Sequence, residues 1–271
     1  MPTKTIGIGE NTTLKMSFWH STVEDAPQAS DSTFLSLSMR TNGGRRAWRD
    51  DKASGEITTL PFEGAHWRFE QPVSFVQFHL PVLFLGTICD ALFDRELAHT
   101  DFRMLADIED APLESALRSI QNRAWSIEPT NLLLDSWAVI LSEVLLRRLS
   151  RHGERRGRAS FGKIPGRTMA SVVDYIDANI DQDLRLTSLA CVAAMSVYHF
   201  ARSFEETAGI SPHKYVLTRR IARARAMLRS SEIGLAHVAL ACGFSSQAHF
   251  TTTFRQMLGV TPGRYRQTQS P

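Results

Sequence analysis

The pattern of apolar and polar positions changes twice along the 271-residue chain. Residues 1–31 are polar and weakly patterned, which predicts an arm or an edge strand. From Ser32 the period is two: STFLSLSM sets Phe34, Ser36 and Ser38 against Leu35, Leu37 and Met39. EITTL from Glu56, HWRFEQ from His66 and VSFVQFHL from Val73 continue in the same style. Turn residues separate them at Asn42-Gly43-Gly44, Ser54-Gly55, Pro61 with Gly64, and Pro72. Short strands at this spacing predict a small antiparallel barrel or sandwich. After Pro81 the period lengthens to that of a helix. Helices are expected over Val82–Phe93, over Pro112–Trp125 and between Pro129 and His152. The last aligns Leu133, Trp137, Ile140, Val144 and Leu145, and Leu134, Leu141 and Leu149 broaden the stripe. Such a helix can pack on its own barrel, form a subunit contact, or do both on opposite sides.

The second change comes at residues 151–166, RHGERRGRASFGKIPG, which are rich in Gly and Arg and poor in apolar residues. This composition predicts a linker. The chain therefore divides into residues 1–152, a linker at 153–166, and a helical region at 167–271, and it is long enough to bury two cores. The third region opens with MASVVDYIDANI, where Val172, Val173, Ile176 and Ile180 fall on one side.

Within the third region one stretch occurs twice. SVYHFARSFEETAGISPHKY from Ser196 is matched by SQAHFTTTFRQMLGVTPGRY from Ser246. The pairs Ser196/Ser246, His199/His249, Phe200/Phe250, Phe204/Phe254, Gly209/Gly259, Pro212/Pro262 and Tyr215/Tyr265 are identical. A match at one fixed offset implies one structural unit used twice. Each copy reads as a helix with a serine N-cap, two phenylalanines on one face, and a glycine at its C-terminal end. Ser211-Pro212 and Thr261-Pro262 then start the next helix. A small-residue apolar helix precedes each copy, LTSLACVAAM from Leu186 and LAHVALACGF from Leu235. Helix, short turn, helix is the helix-turn-helix arrangement.

If the phenylalanines are buried, the opposite face of the first copy carries Tyr198, Arg202 and Glu205, with Ala201 at its flank. The second copy shows Ala248, Thr252 and Arg255, with Gln247 in the exposed first turn. Arg can bond guanine in two places, Gln can do so with adenine, and Tyr or Thr can lie against a thymine methyl. Between the copies runs HKYVLTRRIARARAMLRSS, in which Tyr215, Ile221, Ala222, Met227 and Leu228 are expected to face inward. Its arginines, among them Arg219 and Arg223, are candidates for phosphate contact or for internal ion pairs. Ser196, His199, His249 and Arg255 join the phosphate candidates. A spacer of this kind could hold two helices about one DNA turn apart.

Charge agrees with that division. Residues 1–150 hold 14 basic and 20 acidic side chains, whereas residues 166–271 hold 12 and 7. A basic tail half behind an acidic head half points to a polyanion partner for the tail. No apolar run approaches the roughly 20 residues needed to span a bilayer. The N-terminal MPTKTIGIGE lacks the apolar core of a secretory signal, and the 3 cysteines (Cys89, Cys191, Cys242) are odd and sparse. A cytoplasmic location is expected, with no disulfide framework, metal site or cofactor.

Residues 169–267 resemble the DNA-binding domain of the AraC/XylS family of bacterial transcription regulators. The motifs GISPHKY, RARAMLRSS and VALACGFSSQAHFTTTFRQMLGVTPGRYR carry the likeness. It implies an α+β two-domain protein with seven helices in the second domain, forming two helix-turn-helix units joined by a rigid helix. By position, Tyr198, Ala201 and Arg202 of the first unit would read bases, and Ser246, Gln247, Ala248 and Thr252 of the second. Ala201 and Ala248 are short where the family often carries longer polar groups. Thr58–Pro81 and the helices after it resemble the cupin-like sensor domain of the same family, which dimerises and often binds a small effector. A pocket there would draw on Phe34, Trp48, His66, Arg68 and His79. The implied partners are double-stranded DNA, a small-molecule effector, a second copy of the chain and RNA polymerase. Activation is the implied mode.

Three rival readings stand beside this one. A regulatory protein, rather than a small molecule, could control the same DNA-binding role. A metal-dependent cupin enzyme would need a closely spaced His-x-His with a further Glu and His, and only isolated His66 and His79 are present. A DNA-repair methyl acceptor would need an activated cysteine, and all three cysteines sit in apolar runs.

Overall fold

The computed structural model describes residues 4–6, 14–21, 34–42, 46–47, 57–60, 68–69, 73–94, 96–97, 111–126, 129–149, 161–230 and 233–269. Two compact units emerge. One comprises Met1–Pro129 with Trp137–Ala159, the other Thr130–Ser136 with Ser160–Pro271.

The first unit is built on a five-stranded antiparallel sheet in the order β1-β2-β7-β3-β5. Its strands are β1 (Lys4–Ile6), β2 (Lys15–Ser21), β3 (Phe34–Asn42), β5 (Ile57–Leu60) and β7 (Val73–Pro81). A separate two-stranded ladder joins β4 (Arg46–Ala47) to β6 (Arg68–Phe69). The alternation read from Ser32 onward is the one the sheet uses. Leu35, Leu37 and Met39 of β3 lie on the face of Met16, Phe18, Val76, Phe78 and Leu80, and all are buried. The region expected to be an arm or an edge strand supplies the edge strand β1 and also β2, which lies inside the sheet and pairs with β7 along its whole length. Lys15 and Ser17 alternate with Met16 and Phe18 there, and the polar members hide the strand in a hydropathy pattern.

The second face of this sheet is also shielded over much of its area, although Lys15 on it is exposed. The face opposite the apolar one carries Ser17, Gln77 and Ser38 in one cross-strand row, and Ser36 and His79 in the next. Ser17, Ser36, Ser38 and Gln77 are all buried. The Oγ of Ser36 lies 2.7 Å from Nδ1 of His79.

Three helices follow: α1 (Val82–Phe93), α2 (Ala111–Ser126) and α3 (Asn131–Leu149). They match the expected spans to within two or three residues at each end. Helix α3 buries Leu132, Leu134, Trp137, Ala138, Val139, Leu141, Leu145 and Leu146, so its apolar residues face inward nearly all round. Of the expected stripe, Ile140 is exposed and Leu133 and Val144 are half-buried.

The described residues of the second unit include seven helices. They are α4 (Gly166–Ala178), α5 (Leu186–Val192), α6 (Val197–Ala208), α7 (Pro212–Ser230), α8 (Leu235–Ala241), α9 (Gln247–Leu258) and α10 (Pro262–Gln269). The last residues of the expected linker are not a linker. The hydroxyl of Ser203 donates to the carbonyl of Phe161 (2.6 Å), and the N–H of Ile164 donates to Oγ1 of Thr207 (2.8 Å). Ile164 is itself buried, so the chain is fastened to α6 before α4 begins. Asp135, also in this unit, accepts from the first N–H of α5 at Leu186 (3.0 Å) and lies 3.4 Å from Arg185. It thereby caps a helix whose own N-cap residue, Arg185, offers no side-chain bond.

Candidate nucleic-acid interface

Each repeated stretch folds around the same buried frame. Phe200, Phe204, Phe250 and Phe254 are fully buried. In the first copy the Phe204 ring meets Tyr215 edge-on at 5.4 Å, and in the second Phe254 meets Tyr265 at 5.5 Å. These edge contacts explain why tyrosine recurs at a fixed distance beyond the second phenylalanine. Ser196 and Ser246 cap α6 and α9, each hydroxyl accepting from the N–H three residues on, His199 (3.3 Å) and His249 (3.1 Å). Gly209 and Gly259 close the helices in the left-handed conformation at φ 72° and 77°. Pro212 and Pro262 are the first residues of α7 and α10.

The turns between the paired helices differ by one residue. After α5 the chain turns through Ala194 at φ 54°, then Met195, to the cap at Ser196. After α8 it turns through Gly243 at φ 77°, then Phe244 and Ser245, to the cap at Ser246. Matching backbone bonds run from Met195 to Ala190 and from Phe244 to Ala239, so Ala194 and Gly243 hold corresponding places.

Helix α9 presents the expected surface. Ser246, Gln247, Ala248, Thr252 and Arg255 are exposed. His249 stands between, its ring 5.5 Å edge-on from Phe244 and its Nδ1 3.2 Å from Oγ of Ser245. It anchors the turn as much as it faces outward.

Helix α6 departs from expectation at one position. Tyr198 is only 1% exposed. Phe161 covers its ring in an edge contact at 5.3 Å, and the Arg202 guanidinium lies over the ring at 5.9 Å. A side chain so placed cannot reach a base edge, which corrects its assignment to the reading face. The corresponding residue in α9 is Ala248, which has no ring to cover. Arg202 remains half-buried and within 3.5 Å of the exposed Glu205. An exposed pair of this geometry is weak and easily exchanged for another anion. Ala201 is half-buried, and Ser196 and His199 are exposed, with Phe161 5.4 Å edge-on from the His199 ring.

The basic helix α7 sorts its arginines. Arg219 forms a two-point pair with Asp177, its Nε 2.8 Å from Oδ1, which commits this phosphate candidate to an internal partner. The hydrogen bond to that carboxylate holds its pKa above the ordinary value. Arg225 and Arg229 both donate to the phenol of Tyr265, at 3.2 and 3.1 Å, and these bonds pull the phenol pKa down. Arg223 is exposed on the surface. Arg220, expected among the basic surface residues, is buried, and Ala222, expected inside, is exposed. Val216, Arg220, Ala224 and Leu228 recur every four residues and form the buried row. An arginine in an otherwise apolar row was the sequence signal for its burial. Phe161, a lone aromatic residue in a polar run, was the signal for the covering of Tyr198.

Of the candidate effector residues, Trp48 and His66 lie outside the described residues, and Arg68 falls on β6. Phe34 and His79 share the polar face of the five-stranded sheet. Among the described residues, no group of three or more His, Cys, Asp or Glu could hold a metal ion. No helix among them is long and apolar enough to cross a membrane. Cys242 is buried with its thiol pKa pushed up to about 11, chiefly by burial, which disfavours a reactive thiolate. Cys89 is likewise buried and Cys191 exposed.

Residues 189–268, from α5 to α10, match the model of a helix-turn-helix domain family. A probable transcriptional regulator, LumQ of Photobacterium leiognathi, is 33% identical over 104 residues, which are 38% of this chain and 42% of that protein. Regulatory protein PocR of Salmonella typhimurium is 37% identical over 99 residues, 36% of this chain and 33% of the relative. The aligned stretch thus spans less than half the length of either relative. Among solved structures, a transcriptional regulator with an AraC-type DNA-binding domain from Chromobacterium violaceum is 32% identical and is covered over 93% of its length, against 38% of this chain, at a TM-score of 0.37. The DNA-binding domain of AdpA, solved with a target DNA, is 31% identical over 37% of this chain and 91% of that domain, at a TM-score of 0.36. Seven helices, a twice-used frame and these sequence matches coincide on the same hundred residues, which form a helix-turn-helix DNA-binding domain of the AraC type.

Proposed function

We propose that the protein is a cytoplasmic, sequence-specific transcription regulator that binds double-stranded DNA through α6 and α9. The observation that carries this reading is the pair of helices itself. Both are built on one buried frame, and their outer faces differ: exposed His199 with half-buried Ala201 and Arg202 on α6, and exposed Gln247, Ala248, Thr252 and Arg255 on α9. Two unlike readers on one scaffold suit a directional, non-palindromic element. Ser196, His199, Arg223, His249 and Arg255 supply phosphate contacts around them. Binding then falls steeply with salt, because each neutralised phosphate releases counterions.

The first unit is read as a cupin-like sensor that binds a small effector and joins two copies of the chain. In support, Ser17, Ser36, Ser38 and Gln77 form buried polar rows on the sheet face that also carries Phe34 and His79. Such a face, with Ser36 already bonded to His79, offers hydroxyl, amide and imidazole groups suited to a polar ligand. With effector bound, the protein acts on RNA polymerase as an activator rather than as an enzyme.

Footprinting the full chain on an operator recovered from genomic DNA tests the DNA-binding core of this proposal. Arg202→Ala and Gln247→Ala should each relax preference at a single base position. Unchanged base preference in both variants would rule out α6 and α9 as the readers.

A further inference from the structure

Arg220 sits midway along α7 and is 5% exposed. An arginine is retained in such a place only with partners for its donors. Its Nε donates to the carbonyl of Ile180 (3.0 Å), and its Nη2 to the carbonyl of Gln182 (2.7 Å). Both carbonyls lie just beyond α4, where the helix leaves its C-terminal carbonyls and its negative end. Bonds from a charged donor to such groups are stronger than neutral ones.

The second helix-turn-helix unit meets the same spot from the other side. A Cβ on Gly243 would fall 2.4 Å from the Ile180 carbonyl oxygen and 2.8 Å from Cζ and Nη2 of Arg220. The turn backbone therefore rests directly on the α4–α5 connection and on the guanidinium. Nothing comparable crowds Gly209 or Gly259, where a Cβ would meet open space. Ala194, the counterpart of Gly243 in the first unit, is exposed. Along α7 itself the second unit packs on Ile221, Ala224 and Leu228, and Arg219 ties the helix to Asp177 of α4, so the stack braces the two units at a point between these contacts.

We propose that Arg220 and Gly243 form a strut that fixes the spacing and rotational phase of α6 relative to α9. Arg220 is on this account a specificity-determining positioning residue that touches no DNA. The inference rests on the reading of α6 and α9 as the two DNA readers. Its consequence is that the two elements of the operator must lie a set number of base pairs apart. One inserted pair moves the second element by about 3.4 Å along the axis and about 35° around it.

The test uses the full chain and a duplex enriched by it from a random-sequence pool, with both protected elements mapped. Affinity is then measured on that duplex and on versions with one base pair added to or removed from the spacer. The wild-type protein should lose about 30-fold or more per change, the scale of losing a specific contact set. Arg220→Ala and Gly243→Ala should bind the parent duplex more weakly and lose less than about 5-fold on respacing. Arg220→Lys, which can reach one carbonyl, should fall between. Thermal melts establish which variants are folded, and where the alanine variants are not, the lysine variant and the wild-type series decide. Wild-type indifference to spacing would overturn the strut, as would folded variants that keep the full wild-type penalty. Failure of the underlying reading shows differently, as no enriched duplex or as protection of a single element.

Discussion

Tyr198 and Ala248 occupy the same place in the two copies of the repeat, yet one is sealed under Phe161 and the other faces outward. Ala194 and Gly243 show the reverse: the first-unit turn is open, and the second-unit turn is pressed against a carbonyl and a guanidinium. The two units thus share everything needed to hold a helix and differ in what each leans on. The first leans on the chain segment that precedes it. The second leans on the first. Identical residues in a repeat report the shared frame, and the unlike residues report the neighbours.

The largest expected effect probes what the units have in common. Phe200→Ala and Phe250→Ala each remove a fully buried ring, and each should cost about 3–5 kcal/mol in denaturant unfolding. A large difference between them would break the equivalence of the two frames.

Next comes the pair that should differ. Gly243→Ala adds a Cβ in a left-handed conformation against backbone and should cost about 2–4 kcal/mol. Ala194→Gly relieves a left-handed alanine while loosening the unfolded chain, and thermal melts should place it within about 1 kcal/mol of wild type.

In DNA binding, Gln247→Ala should cost about 1–3 kcal/mol at one base position. Tyr198→Phe should leave base preference unchanged in a competition footprint, because its ring never reaches the groove. A change there would restore Tyr198 to the reading face. The caps are smaller still: Ser196→Ala and Ser246→Ala should each destabilise by about 1 kcal/mol, and equally.

The subtlest asymmetry is ionic. Cys242 in the second unit keeps its proton to about pH 11, against an ordinary value of 9.0. The folded protein then holds a proton that the unfolded chain releases, so this contribution is intact below pH 9 and fades as pH climbs to about 11. The melting temperature should fall over that window, and Cys242→Ala should flatten the fall. At neutral pH a thiol reagent should label exposed Cys191 well before Cys242 or Cys89.

The repeat was legible because identical residues at one offset reveal both the frame and its ends. The alternation from Ser32 and the helices after Pro81 were legible for the same reason, a period matching an element. What escaped depended on distant partners. Strand β2 hid because its second face is polar although buried, so its pattern looked like that of a solvated segment. Tyr198 looked exposed because helical geometry says which side of α6 it lies on, and nothing about Phe161. Arg220 looked like one more basic surface residue, and its burial depends on two carbonyls some 40 residues upstream.

The frame of Phe, Phe, Gly, Pro and Tyr keeps stability and message in separate sets of residues. Surface substitutions away from buried partners usually shift stability by less than about 0.5 kcal/mol. Gln247, Ala248 and Thr252 can therefore be exchanged with little risk to folding, whereas a changed Phe250 removes the helix that carries them. Such a scaffold is evolvable in a specific sense. If α6 and α9 read DNA as proposed, one copy's operator preference can drift by single substitutions after duplication while the other still grips its element, so new binding sites can be sampled without a non-functional intermediate.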